Sequence, residues 1–257
     1  MHGGELLLRI EDIDTPRCKP AFEAAILEDL RWLGLDWPVP VMRQSDRMPA
    51  YRAALDQIVA MGLCYPCSCT RREISAALSA PQEGADGTPH PAIYPGTCRG
   101  RRMDSAGPAD AIRLDMAAAL DWIGAPDALG FDETGPDRPG QHAVTAAELL
   151  HQHGDVVLAR RDIGTSYHLA VVVDDAAQGI TEIVRGQDLF DATALHVVLQ
   201  ALLGLARPAY HHHRLIRDAQ GRRLAKRDAD RALRAYRAAG GTPAEIRRLT
   251  GLAPSAA

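Results

Sequence analysis

Leu6-Leu7-Leu8-Arg9-Ile10-Glu11-Asp12-Ile13-Asp14 is the stretch that decides the fold class. The short apolar run reads as a buried strand. Three carboxylates gather at its C-terminal edge. Thr15-Pro16 breaks the strand, and the spacing of Phe22, Ile26, Leu30 and Leu33 predicts a helix over residues 20–33, closed by Gly34. A second helix is expected over residues 49–61, stopped by Gly62. Strand followed by helix is the rhythm of α/β architecture.

That rhythm stops at Cys64. Residues 64–110 hold the clustered cysteines and a Pro/Gly-rich stretch, 81–96, with little periodicity. Residues 110–116 suit a strand, and 124–142 read as a loop rich in Gly, Pro and Asp. Residues 64–155 therefore read as an insertion between two halves of an α/β domain, 1–63 and 156–227. Regularity returns beyond it. Residues 155–160, 167–175 and 180–184 read as buried strands with polar ends. A helix is expected over 189–203, a strand-like segment over 212–217, and two arginine-rich helical segments in a short tail, 228–257.

At 257 residues, with 46% hydrophobic and 24% charged, the composition excludes a disordered chain. No apolar run approaches the ~18–20 residues of a membrane span. Met1 to Glu5 has neither the basic flank nor the cleavage site of a secretory signal, so a cytoplasmic address and no membrane partner are expected. The net charge of −4 hides an asymmetry: from Arg207 to Arg248 twelve Lys/Arg face four Asp/Glu. Such a basic stretch on an acidic protein suits a polyanion, although solvated helix faces give the same count. Only two of the 29 basic residues are lysines, Lys19 and Lys226, and the latter stands in an arginine-rich loop. An isolated lysine there points to a need for a compact ammonium. Aromatic residues make up 5%, too few for stacking platforms along single-stranded RNA.

Ligands of parallel sheets gather at strand ends. Glu11 and Asp14 follow the first strand, Tyr167 opens another, and Arg185 follows a third. A carboxylate takes an ammonium, a guanidinium clamps a carboxylate bidentately, and a tyrosine hydrogen-bonds either. The set suits an amino acid with an acidic side chain, whereas each residue alone reads as a structural ion pair. Of the five cysteines, Cys18, Cys64, Cys67, Cys69 and Cys98, three crowd into positions 64–69, and in a chain lacking an export signal that clustering favours a metal over disulfides. The adjacent His211, His212 and His213 alternate sides of a strand and cannot all converge on one ion.

In order, Leu8-Arg9-Ile10-Glu11-Asp12-Ile13-Asp14, Cys67-Ser68-Cys69, Tyr94-x3-Cys98, Tyr167 to Asp175, Ile183-Val184-Arg185-Gly186 and Arg223-Leu224-Ala225-Lys226-Arg227 run through the chain. This set resembles the glutamate-specific class I aminoacyl-tRNA synthetases, and most closely their short paralogues that lack an anticodon-binding half. The resemblance implies a Rossmann-like parallel sheet with a zinc-bearing insertion. It implies that Glu11 holds the α-ammonium of L-glutamate, Arg185 a carboxylate, and that Tyr167 lines the pocket. Lys226 would act catalytically, contacting the ATP phosphates as pyrophosphate leaves, with His212 near the nucleotide and Mg2+ arriving with ATP. Arg223 and Ala225 depart from the family's Lys-Met-Ser-Lys-Ser loop, which keeps the first charge and removes one hydroxyl. Cys67, Cys69, Tyr94 and Cys98 match the family's structural zinc site; tyrosine is an unusual ligand, so on chemical grounds Cys64 or His90 competes for the fourth place, and the resemblance favours Tyr94.

Class I synthetases open with a strand, a glycine-containing loop and a helix start bearing a His-x-Gly-His signature. No such segment lies between Met1 and Leu6, so the sequence reads as starting one strand–loop–helix unit late, and the 257 residues alone are expected to form glutamyl-adenylate poorly. Only 31 residues follow Lys226, too few for an anticodon-binding region. That favours the paralogues whose acceptor is the queuosine base of tRNA(Asp), working as a monomer, over a shortened enzyme charging tRNA(Glu). A zinc-stabilised tRNA-binding module without catalysis is the alternative from another class.

Overall fold

The computed structural model describes residues 3–79, 93–125, 128–217 and 232–252. The chain forms two compact units, Met1–Asp46 with Arg214–Ala257, and Arg47–His213.

In the first unit β1 (Arg9–Ile10) pairs in parallel with β2 (Met42–Arg43). The strand expected over 6–10 is thus realised only in its last two residues. Beyond β1, Asp12 accepts from the backbone N–H and the hydroxyl of Ser45, both at 2.8 Å. Helix α1 (Pro20–Trp32) begins on Pro20, where the missing N–H costs nothing. The turn after it needs Gly34 at φ +79°. Phe22 and Ile26 keep the expected helical spacing, yet they stay 53% and 48% exposed. Arg237 reaches Glu28 at 2.9 Å and Asp29 at 3.3 Å. Helix α9 (Pro243–Leu249) opens with a reciprocal cap between Thr242 and Glu245, and α8 (Leu233–Ala238) precedes it.

The second unit holds two sheets. Strands β3 (Cys64–Cys67), β4 (Ala111–Leu114) and β7 (Val157–Ala159) lie antiparallel in that order. The other sheet runs β6-β5-β9-β8, from β5 (Gly130–Glu133), β6 (Gly140–Ala143), β8 (Glu182–Gly186) and β9 (Ala209–His213). Within it β5, β9 and β8 are parallel and β6 is antiparallel. The expected parallel sheet is thus met in β5, β9 and β8, while β6 and the β3-β4-β7 sheet are antiparallel. Residues 124–142 are no loop, because they carry the β5–β6 hairpin. Its sequence lacks the β-branched residues that mark strands.

The largest correction concerns residues 167–175, read as a strand. They form α6 (Tyr167–Ala177), capped by the Ser166 hydroxyl, which accepts from the Leu169 N–H at 3.3 Å. Leu169, Ala170, Val171, Val172 and Asp174 are all buried. A helix buried around most of its circumference shows no polar alternation, so its apolar run cannot be told from a core strand by pattern. Asp174 is paired in the interior, receiving Arg47 Nε at 2.5 Å and the Tyr51 hydroxyl at 2.7 Å. Helices α2 (Met48–Ala60), α6 and α7 (Ala192–Leu203) supply the core, with Ile58, Leu169, Leu195, Leu199 and Tyr210 at its centre.

Candidate amino-acid and metal sites

Two centres form in the second unit. The first is built from β3, the turn after it and the turn at Cys98. The sulfurs of Cys67, Cys69 and Cys98 lie within 4.8 Å of one another, with Cys69 and Cys98 at 3.5 Å. The Tyr94 hydroxyl sits 3.4 Å from both Cys67 and Cys69 sulfurs. The Cys98 backbone N–H donates to the same oxygen at 2.8 Å. Four ligands at tetrahedral angles, with sulfur ~2.3 Å and oxygen ~2.0 Å from zinc, require S···S of ~3.8 Å and S···O of ~3.5 Å. The donor set fits those distances.

Charge supports it. Burial pushes the Cys98 thiol up, but hydrogen bonds from Tyr94, the Ser68 backbone and the neighbouring thiols outweigh it and bring the group down to about 6. Burial and the three thiols raise the Tyr94 phenol. The Arg113 guanidinium lies 3.8 Å from the centre of the Tyr94 ring and steadies it. Cys64 stands three residues before Cys67, faces the main core, and has its thiol pushed up to about 12 by burial. It is not part of the cluster. His90, the other competitor, lies outside the described residues.

The second centre surrounds Arg185, the penultimate residue of β8. Its Nε donates to His212 Nε2 at 2.9 Å and Nη1 to His196 Nδ1 at 3.1 Å. Nη2 donates to the Thr193 hydroxyl at 2.6 Å and the Leu189 carbonyl at 3.2 Å. A guanidinium only donates, so both imidazoles must present bare nitrogens to it. This fixes two tautomers. His212 carries its proton on Nδ1 and donates it to Glu133 Oε2 at 2.5 Å; His196 carries its proton on Nε2 and donates to His168 Nδ1 at 3.1 Å.

The imidazoles stay neutral. Burial lowers His212, against the pull of the Glu133 hydrogen bond and with the push of Arg185. Burial and the Arg185 charge hold His196 well below its ordinary range. Burial, His153 and Arg185 bring His168 down to about 4. Arg185 therefore has four neutral partners and, among the described residues, no carboxylate in contact. Four of its five N–H groups are used, leaving one on Nη1. The bidentate clamp expected from the sequence is reduced to a single free donor.

The remaining expectations separate. Tyr167 opens α6 beside His168, with ring centres 5.4 Å apart, so it stands at a helix start rather than a strand start. Glu11 belongs to the first unit, exposed and 3.4 Å from Arg9. His212 is buried, while His211 bonds the Thr134 hydroxyl at 3.0 Å and His213 is exposed, as strand alternation requires. Cys18 is exposed. Lys226 and its loop lie outside the described residues.

The catalytic-domain model described as tRNA synthetases class I (E and Q) matches residues 1–104 and 142–253. A glutamyl-Q tRNA(Asp) synthetase of Rhodobacter capsulatus is 56% identical, covering 97% of this chain and 89% of the relative. The chain belongs to this family. A second glutamyl-Q tRNA(Asp) synthetase, of Nitratidesulfovibrio vulgaris, is 40% identical over 95% of the chain and 74% of its own length. The solved glutamate-tRNA synthetase of Elizabethkingia anophelis superposes with a TM-score of 0.65 at 28% identity, covering 89% of this chain and 47% of that one. The chain thus spans about half of the solved synthetase. As a class I glutamyl-tRNA-synthetase relative it is an aminoacyl-tRNA-synthetase-like ligase.

Sequence reasoning missed Glu133, His168, Thr193 and His196. His196 carried a signal, being the one imidazole in the apolar run of α7, where a buried polar group must find partners. Glu133 carried none. It falls in 105–141, the interval the family model leaves unmatched.

Proposed function

We propose that this chain activates L-glutamate with ATP and transfers it to the queuosine base of tRNA(Asp). The observation that carries the reading is the Arg185 cage: a half-buried guanidinium held entirely by neutral groups attracts a carboxylate. Its free Nη1 donor takes one oxygen of the substrate and Tyr167 lines the pocket, while the role of Glu11 toward the α-ammonium rests on the family resemblance alone. The glutamate α-carboxylate then attacks the α-phosphorus of ATP in line and pyrophosphate departs, with Lys226 neutralising its charge and Mg2+ accompanying the nucleotide. His212 borders the nucleotide while its Nε2 accepts from Arg185 and its Nδ1–H is held by Glu133. Zinc held by Cys67, Cys69, Tyr94 and Cys98 fastens the turns around β3; all four positions are filled by protein, which is the pattern of a structural ion.

The identity of the relatives favours queuosine-bearing tRNA(Asp) over tRNA(Glu). The test supplies radiolabelled glutamate and ATP to queuosine-modified tRNA(Asp), unmodified tRNA(Asp) and tRNA(Glu). Label is expected on modified tRNA(Asp) only. Charging of tRNA(Glu) overturns the acceptor, and salt-sensitive tRNA retention without ATP-dependent transfer overturns the enzyme reading.

A further inference from the structure

Glu133 sits at the end of β5 and is 3% exposed. Its Oε1 accepts the backbone N–H of His212 at 2.9 Å and that of Gly135 at 2.6 Å. Its Oε2 accepts the His212 Nδ1–H at 2.5 Å. Three N–H groups thus converge on one buried carboxylate. The turn that follows is closed tightly over it: a Cβ added at Gly135 collides with the His212 carbonyl oxygen and with Glu133 Oε1. Strand pairing fixes the rest, since Glu133 faces Tyr210 across the parallel β5–β9 pair and Arg185 faces His212 across β8–β9.

The order of donors makes this chain directional. Arg185 cannot accept, so His212 must offer a bare Nε2, and it does so only while its proton stays on Nδ1. A carboxylate beside Nδ1 holds it there. We infer that Glu133 is a positioning residue for Arg185, acting through the His212 tautomer to aim the guanidinium at an anionic ligand. A strand outside the family-matched segments, β5, thereby sets the geometry around Arg185. The inference rests on the proposed role of Arg185 only for its effect on substrate; the tautomer itself does not depend on that role.

Glu133→Gln is the informative variant. The carboxamide has the carboxylate's shape but one acceptor oxygen, so three N–H donors cannot all be served. Either the backbone pair is kept and the amide faces Nδ1 as a donor, or the imidazole is served and the backbone pair is lost. In the first case His212 must move its proton to Nε2, where it opposes Arg185 Nε–H.

The experiment is 15N-histidine and arginine-Nε NMR on the full zinc-loaded chain, with L-glutamate binding followed by calorimetry. In the unaltered chain His212 is expected as the Nδ1–H tautomer with a slowly exchanging Arg185 Nε–H. In Glu133→Gln the tautomer changes or the Arg185 signal is lost to exchange, and the Kd for L-glutamate rises about tenfold. Zinc content stays the same. Gly135→Ala displaces the carboxylate without altering its charge and gives the same Arg185 readout.

An Nε2–H or doubly protonated His212 in the unaltered chain overturns the inference, and it does so even where both variants fail to fold. So does a Glu133→Gln chain with unchanged tautomer, Arg185 signal and glutamate affinity. Arg185→Ala binding L-glutamate as the unaltered chain does would defeat the reading of Arg185 and leave the tautomer result standing.

Discussion

The sulfur centre and the Arg185 cage are electrostatic opposites. One gathers three thiols and a phenol whose lone pairs converge, with Cys98 already drawn down to about 6. The other gathers imidazoles, a hydroxyl and a carbonyl around a guanidinium, and keeps the imidazoles neutral. Their wiring also differs. The first is assembled from residues no more than 31 positions apart, Cys67 to Cys98, while the second joins Glu133 to His212 across 79 positions. A local cluster of rare residues stabilises the chain segment that carries it. A cage drawn from three strands and two helices needs the whole unit folded first, and under the proposed function what it stabilises is a ligand. Removing a member should therefore cost stability in the first case and recognition in the second.

The largest effect is expected at the sulfur centre. Cys98→Ala should lower zinc from about one ion per chain to near zero, read by mass spectrometry, and cost several kcal/mol of stability. For a unit of this size that is a fall in Tm of roughly 10 °C or more by calorimetry. Retained metal and Tm would reduce the cluster to packed thiols and erase the contrast. At the cage, Arg185→Ala should weaken L-glutamate binding about a hundredfold by titration calorimetry, since it removes the charge and leaves two imidazole acceptors unserved. Arg185→Lys should not restore it, because a single ammonium cannot serve His196, His212 and Thr193 together.

The same difference explains what was legible in the sequence. Cysteines are rare, so the crowding of Cys64, Cys67 and Cys69 stood out, and the family pattern set Cys64 aside and added Tyr94 and Cys98. Arg185 was singled out, but its fork was credited with two free donors because the sequence does not show that His196, His212, Thr193 and Leu189 occupy four of its five N–H groups. The strand–helix rhythm of the first forty residues was readable from Pro20, Gly34 and the helical spacing between. Residues 167–175 were misread since burial on all sides erases the period that separates helix from strand. Residues 130–143 were missed because Gly-Phe-Asp-Glu and Gly-Gln-His-Ala owe their strand state to pairing with β9 and each other rather than to propensity.

A smaller change sharpens the sulfur side. Tyr94→Phe keeps the ring under Arg113 and removes only the oxygen, so metal affinity should fall about ten- to a hundredfold in a chelator competition. Cys64→Ala, on the core-facing side of β3, should leave that affinity unchanged. Equal losses in the two variants would place Cys64 in the ligand set and contradict the facing of β3.

The smallest effect at neutral pH concerns His168, and it probes the cage without altering it. Its folded pKa is about 4, lowered by burial and then by the charges of His153 and Arg185, against ~6.5 for an unfolded histidine. Above pH 6.5 neither state binds the proton, so this group confers no pH dependence there. Between 6.5 and 4 the unfolded chain takes up a proton that the folded chain refuses, and stability falls as the pH falls. Below 4 both states are protonated and its contribution levels off. Imidazole C–H resonances followed through a pH titration should place the midpoint near 4. Arg185→Ala should move it upward, since one of the repelling charges is gone, while Tyr94→Phe should leave it in place. A midpoint near 6.5 in the unaltered chain would mean that the guanidinium is screened from its neighbours by water, and the contrast between a cage built for an anion and a centre built for a cation would then rest on the sulfur side alone.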